Sequence, residues 1–174
     1  FDNEGIHIER TPIYHMVSVI SFLQAWRICV LNHIPVPPYA FPTLEKGAEF
    51  LMKLVKPDFS TPMIGDADRN DLLARRSDTS VYEGMNLSFD PYDLNEMRAF
   101  FRTMYELTGR EDFLYFATGR EKGHSPAAKN YAMKDAGIYV MRTGWEPQDS
   151  YFHVHGIQME RGEKSSHSHN DQCH

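Results

Sequence analysis

Cysteine is scarce in this 174-residue chain, with only Cys29 and Cys173 present. Two cysteines so far apart indicate no disulfide framework and leave the redox compartment open. Cys29 lies in an apolar helical run and reads as core. No run of about 18 consecutive apolar residues occurs, so no membrane-spanning helix is expected. Basic charge is not in excess: 18 Lys and Arg stand against 24 Asp and Glu, for a net charge of −6. With a pI near 5.8 there is no general basic field for nucleic acid. A polyanionic partner must therefore meet a local cluster of Arg and His. The opening FDNEGIHIER lacks both an initiator Met and a basic-then-apolar signal pattern, and reads as an internal piece of something longer. No internal repeat and no low-complexity segment stands out.

What is present is a globular composition, 41% apolar and 13% aromatic, enough for one domain with a core or for pieces of two. Such an aromatic content suits a sugar-binding cleft or a core equally well. Thr11 as N-cap and Pro12 at the first helical position open a helix over residues 12–34, apolar on more than one face and expected to pack on both sides. PVPPYAFP (35–42) stops it, and Thr43 opens a second helix ending before Lys56-Pro57, completing an αα-hairpin. A loop follows at 62–71. Asp90 and Pro91 open a third helix, which Gly109 ends, and EDFLYFATG (111–119) reads as a short fourth. GHSPAAKN is a linker. Beyond about residue 130 the chain turns β-branched and aromatic, which predicts strands at 137–142 and 151–157 in one antiparallel sheet. Helices followed by antiparallel strands mean an α+β class or two adjoining domains.

Two constellations could carry chemistry. In ERTPIYH (9–15) the helix start puts Tyr14 at the third helical position, where the macrodipole favours negative charge. Arg10 and His15 lie alongside in sequence. A tyrosine needs its pKa of about 10 pushed down to act as a base, and a cation and a helix N-terminus both do so. The alternative is an amphipathic tyrosine at a helix end with a wet hydroxyl. In SSHSHNDQCH (165–174), His167 and His169 share a face if the segment is a strand. With Asp171, Cys173 and His174 they offer a surplus of zinc ligands, but one extended strand cannot converge them all, so a further ligand must come from elsewhere. A solvated His-rich tail or an expression scar is the other reading. GDAD (65–68) reads as a turn rather than a Ca²⁺ loop, HVH (153–155) as surface or packing, and GREKGH (119–124) as a solvated turn rather than a phosphate cradle.

The order of these motifs carries a resemblance. A G-x-x-x-E-R-T-P-x-Y-H loop enters a long helix; P-x-x-G-D-x-D, more helices, D-A-G-I-Y-V-M-R-T-G-W and H-S-H-N-D follow. This resembles the heparinase II/III-like polysaccharide lyases, a family that includes heparin, heparan sulfate and alginate lyases. The resemblance implies an incomplete (α/α) toroid, with residues 1–125 as its last part, and an antiparallel β-sandwich, with 130–174 as its opening strands. It implies β-elimination at a uronic acid, with Tyr14 as acid/base and His167 as base or carboxylate neutraliser. Arg10 and His15 would be substrate-binding helpers, and Glu9 would orient Arg10 or be a surface charge. His169 would bind a structural zinc whose other ligands lie beyond residue 174. The expected location is periplasmic or secreted, the partner an anionic polysaccharide, with no nucleic acid and no membrane. The family's earlier Asn site is absent, and Ser165-Ser166 stand where a Gly is frequent, so half a site is expected and no activity from this stretch alone. Alternatives are a metal-dependent glycoside hydrolase, with His167, His169 and Asp171 holding a zinc-activated water, and a non-catalytic carbohydrate-binding or scaffold protein on the same architecture.

Overall fold

The computed structural model describes residues 1–65 and 94–156, the side chains of 94–96 excepted. Within them the order is α1 (Pro12–Leu31), α2 (Ala40–Leu54), α3 (Leu94–Thr108), α4 (Glu111–Ala117), β1 (Tyr131–Met133), β2 (Ile138–Arg142) and β3 (Tyr151–His155). The class is α+β, as the sequence implies: helices first, then a three-stranded antiparallel sheet in the order β1-β2-β3.

Helix α1 begins where the sequence puts it. Thr11 is the N-cap by backbone and Pro12 follows, yet the Thr11 hydroxyl makes no capping hydrogen bond and is buried. The far end differs from the expected Ile34. His33 takes the left-handed conformation (φ 55°). Its N–H then donates to the Val30 carbonyl, and that of Ile34 to the Cys29 carbonyl, the paired bonds that close a helix and usually need glycine. Met16, Val19, Ile20 and Leu23 join the core, while Val17, Phe22, Ile28, Val30 and Leu31 stay exposed, so α1 packs on one side only among the described residues. At 20 residues α1 is long and apolar enough on average for a membrane crossing, although polar residues interrupt its apolar run. Its inner stripe is core of this domain, and the exposed stripe supplies the rest of the apolar content. Cys29 is half-buried on that outer side, not core.

Helix α2 begins at Ala40, three residues before the expected Thr43. Pro42 lies in its first turn, where a missing N–H deprives no carbonyl of a partner. The expected start of α3 at Asp90-Pro91 lies outside the described residues. Its end does not: Gly109 (φ 69°) returns its N–H to the Tyr105 carbonyl at 2.7 Å. Met97, Phe101 and Met104 are fully buried, and Phe101 stacks against Phe113 of α4 with ring centroids 5.9 Å apart. Arg110, at the α3–α4 corner, binds Asp112, Glu45 and Glu49, tying α4 to α2.

The sheet alternates as its sequence does. Ile138, Val140 and Arg142 point inward, with Tyr139 and Met141 outward. Val140 faces His153 and Ile138 faces His155 across the β2–β3 pair. β1, only three residues long, adds a strand the sequence did not single out. Asp149 locks the turn between β2 and β3, accepting from the Thr143 hydroxyl at 2.7 Å and the Glu146 N–H at 2.8 Å. The inward face has no core of its own. Met133, Ile138 and Val140 cluster with Ile6, Phe50, Leu54 and Ile64, and Trp145 belongs to the helical core.

Arg142 makes the joint. Its guanidinium donates to the Val55 carbonyl at 2.9 Å and to that of Lys53, at the C-terminal end of α2. There a cation meets both orphan carbonyls and the negative end of the helix dipole. It lies 3.7 Å from the Trp145 ring centroid and 5.1 Å from that of Tyr151. Burial pushes the Arg142 pKa down to about 10, which still leaves it charged at neutral pH. Replacing Arg142 with Met should keep the apolar stem, strand the carbonyls and cost about 2–3 kcal/mol of stability. Urea denaturation checks this; a loss under about 0.5 kcal/mol, the size of an ordinary surface change, would show that the joint carries no stability.

Candidate active site

The candidate site is the junction between the first eleven residues and α1. The loop is built around Asp2, whose Oδ1 accepts the N–H of Glu4 at 2.9 Å and of Ile6 at 2.8 Å. Gly5 (φ 76°) then presses on α2; a Cβ there would come within 2.8 Å of the Gly47 nitrogen. Lys46 reaches back to the Asn3 carbonyl at 3.0 Å. The loop is thus seated on α2 before α1 begins.

His15 closes the assembly. It is fully buried, its Nδ1 accepts the His7 N–H at 3.0 Å, and its Nε2 lies 2.8 Å from the Gly47 carbonyl oxygen. An accepting Nδ1 requires the proton on Nε2, so the ring is a neutral imidazole donating to Gly47. Burial pushes its pKa down to about 3, only partly opposed by the Gly47 bond, with His7 lowering it further. Phe50 lies edge-on to the ring at 4.6 Å. Gly47 permits the approach, since a Cβ there would sit 2.8 Å from Val19 Cγ2 and 3.5 Å from His15 Nε2.

These contacts correct the expectation for His15. Both ring nitrogens are engaged by backbone and the ring is uncharged at neutral pH, so it offers neither a hydrogen bond to substrate nor a cation beside Tyr14. Its role is to position. Glu9 approaches His7 (3.9 Å) rather than orienting Arg10. Burial lowers the His7 pKa, with Glu9 opposing. Arg10 is half-buried in a left-handed turn (φ 58°), its N–H bound to the His7 carbonyl at 2.9 Å. Tyr14 is half-buried in the first turn of α1, which contains no acidic residue to offset the N-terminal dipole. Arg10, Tyr14 and His15 therefore share one corner, with His15 facing inward. His167 and His169 lie outside the described residues, as do Asp171, Cys173 and most of GDAD. Among the described residues no group of three or more His, Cys, Asp or Glu could hold a metal. In HVH, His153 and His155 are both buried on the inner face of β3 rather than at the surface. GREKGH is more than a solvated turn, because Arg120 donates to the Trp145 and Pro57 carbonyls.

Sequence reasoning missed His7, Gly5 and Gly47. Gly47 meets His15 across 32 residues, and Gly5 lies against that same stretch of α2, separations that no local spacing reveals. His7 is only 8 residues from His15 but acts through its backbone N–H, which carries no residue-type signal.

Residues 1–86 match the family described as Heparinase II/III N-terminus. That stretch, just under half of the chain, is similar to the heparinase II/III family. A heparin-sulfate lyase of Pedobacter heparinus is 26% identical over 145 residues, covering 82% of this chain and 19% of that protein. Among solved structures, a mutant of heparan sulfate lyase HepC from Pedobacter heparinus superposes with a TM-score of 0.70 at 24% identity. The match covers 90% of this chain and 22% of that one. A heparinase III gene product matches with a TM-score of 0.70 at 21% identity, over 91% of this chain and 22% of that one. The chain thus spans about a fifth of the length of the relatives it matches. The structural likeness establishes a shared fold.

The His15 contacts predict an acid-sensitive fold. With the folded pKa near 3 and the unfolded value near 6.5, only the unfolded chain takes up a proton between them. This stability is complete above pH 6.5 and is lost as pH falls towards 3, by at most about 1.4 kcal/mol per pH unit. Melting curves across that range should slope accordingly, and His15→Gln should flatten the slope. An unchanged slope in His15→Gln would place the acid sensitivity elsewhere.

Proposed function

We propose that the protein containing this chain is a polysaccharide lyase that cleaves a uronic-acid-containing polysaccharide by β-elimination. A glycosaminoglycan is the favoured substrate class and alginate the second. The observation that carries this reading is Tyr14 in the first turn of a helix whose start is locked by the buried His15, inside the stretch that matches the heparinase II/III family. Relatives described as heparin-sulfate and heparan sulfate lyases support it. The same reading makes residues 1–125 the last part of an (α/α) toroid and 130–174 the opening strands of a β-sandwich. The cleft between the two is then the place of reaction.

The chemistry follows from the residue types. Donors neutralise the uronate carboxylate, which acidifies the C5 proton. A base takes that proton, the C4–O bond breaks, a C4=C5 double bond forms, and an acid protonates the leaving oxygen. Tyr14 serves as both acid and base if it stands beside both atoms, since its protonation state alternates. A helix N-terminus is the kind of place where a developing negative charge is stabilised. His167 is assigned to base or carboxylate neutralisation. Fixed donors at the carboxylate supply the larger part of transition-state stabilisation. His15 enters by holding the helix start still, not by touching substrate.

Tyr14→Phe in the full-length protein keeps the ring and removes the ionisable oxygen. Turnover, followed by the ultraviolet absorbance of the unsaturated uronate on heparan sulfate, alginate and hyaluronan, should fall about 10²–10⁴-fold with binding retained. Retention of more than about a tenth of the wild-type rate would make Tyr14 a packing residue. Zinc at His169 belongs to the same proposal. Metal analysis of His169→Ala should show its loss, and unchanged zinc content would reject the assignment.

A further inference from the structure

A second feature lies away from Tyr14, where α3 meets the turn after α4. A cleft of about 460 Å³ opens there, lined by Arg98, Arg102, Thr118, Glu121 and Lys122 among others. Arg98 and Arg102 are one helical turn apart on α3 and so share a face, a like-charge pair that isolated helices disfavour. Lys122 is brought against them by a closed turn. The Thr118 hydroxyl donates to the Leu114 carbonyl at 2.9 Å and accepts the Lys122 N–H at 2.9 Å. Gly119 (φ 65°) leaves the space that the Arg98 guanidinium occupies, since a Cβ there would sit 2.5 Å from Arg98 Nη2. The guanidinium carbon of Arg98 is 5.7 Å from the Phe59 ring centroid, and its Nε is buried without a hydrogen-bond partner. Among the described residues none of the three cations has an ion pair, and Glu121 is the sole carboxylate lining the cleft.

Three cations lining one cleft, one of them with a buried unsatisfied donor, present the chemistry that recognises an oxyanion. We propose that Arg98, Arg102 and Lys122 form an anion subsite that takes a sulfate group of the polysaccharide, separate from the Tyr14 corner. The planar fork of arginine matches a tetrahedral oxyanion, and lysine adds a point charge. Placement supports this. His15 meets Phe50 while Trp26 meets Phe41, so α1 and α2 run antiparallel and Tyr14 stands beside the C-terminal half of α2. Phe59, just past that end, carries Arg98 and Arg120 over its ring. The cleft and Tyr14 therefore lie towards the same end of the helices. The subsite rests on the polysaccharide reading above, but its test does not need turnover.

The test is calorimetric binding of size-defined heparan sulfate oligosaccharides, their desulfated counterparts and inorganic sulfate to the full-length protein. It compares wild type, the exposed double variant Arg102→Gln/Lys122→Gln, and Arg98→Lys, which keeps charge and stem but loses the fork. The double variant should bind the sulfated oligosaccharide about tenfold more weakly, with a shallower salt dependence and unchanged affinity for the desulfated one. Arg98→Lys should show a smaller loss of the same kind, and any elimination activity should show a raised KM at unchanged kcat. Unchanged affinity for the sulfated chain in a variant that melts like wild type overturns the subsite. So does an equal loss for sulfated and desulfated chains, or a cleft that answers to inorganic sulfate at high concentration alone, as an adventitious ion only. Selective loss of binding in a protein that makes no unsaturated product keeps the subsite and removes the lyase reading. Elimination with binding untouched by the variants does the reverse.

Discussion

A neutral imidazole with both nitrogens committed holds this structure together. His15 accepts from the His7 N–H and donates to the Gly47 carbonyl, so one ring joins the entry loop, α1 and α2. A protonated ring could not accept at Nδ1, and a ring of the other tautomer could not donate to Gly47. Both glycines in the contact answer to it. Gly5 lets the loop lie on the α2 backbone, and Gly47 lets α2 approach the ring. The position of Tyr14 is then inherited from its neighbour. The backbone of a residue one step along a helix from an immobilised side chain has little freedom to move.

The second polar joint works on opposite terms. Arg142 is charged, inward-facing on a strand, and bound to carbonyls at the end of α2. Desolvating a guanidinium is expensive, and the lowered pKa expresses that cost. The return comes from two charge-assisted bonds and three aromatic faces, those of Trp145, Tyr151 and Tyr131. Apolar contact alone would hold the sheet against α2 but leave it free to slide. Directional bonds to particular carbonyls fix where it sits. Hence the core runs without interruption from Phe50 and Leu54 of α2 into Ile138 and Val140 of β2, across the 125–130 stretch where the sequence changes character.

How much of this was legible depended on range. Pro12 fixed the start of α1, Gly109 the end of α3, and the alternation of Ile138 to Arg142 the inward face of β2, because each is a local rule. The errors were local rules overridden. His33 adopted a left-handed turn that glycine usually supplies, and Pro42 entered a helix it was expected to block. The family resemblance was readable because its motif ERTPIYH is contiguous. The inward turn of His15 was not, because a histidine's protonation and direction are set by what packs on it, here Gly47 and Phe50.

An acidic chain is an unexpected partner for a polyanion, and magnitudes decide the matter. Net charge is −6 over 174 residues, but at physiological salt exposed charges are largely screened beyond about 8 Å. A bound anion therefore senses its immediate neighbours far more than the sum over the molecule. Arg98, Arg102 and Lys122 line one cleft, with Glu121 its one carboxylate among the described residues. Local sign can thus oppose global sign. On the proposed reading, attraction for a polyanion is local, set where Lys122 is held by the Thr118 turn beside Arg98 and Arg102.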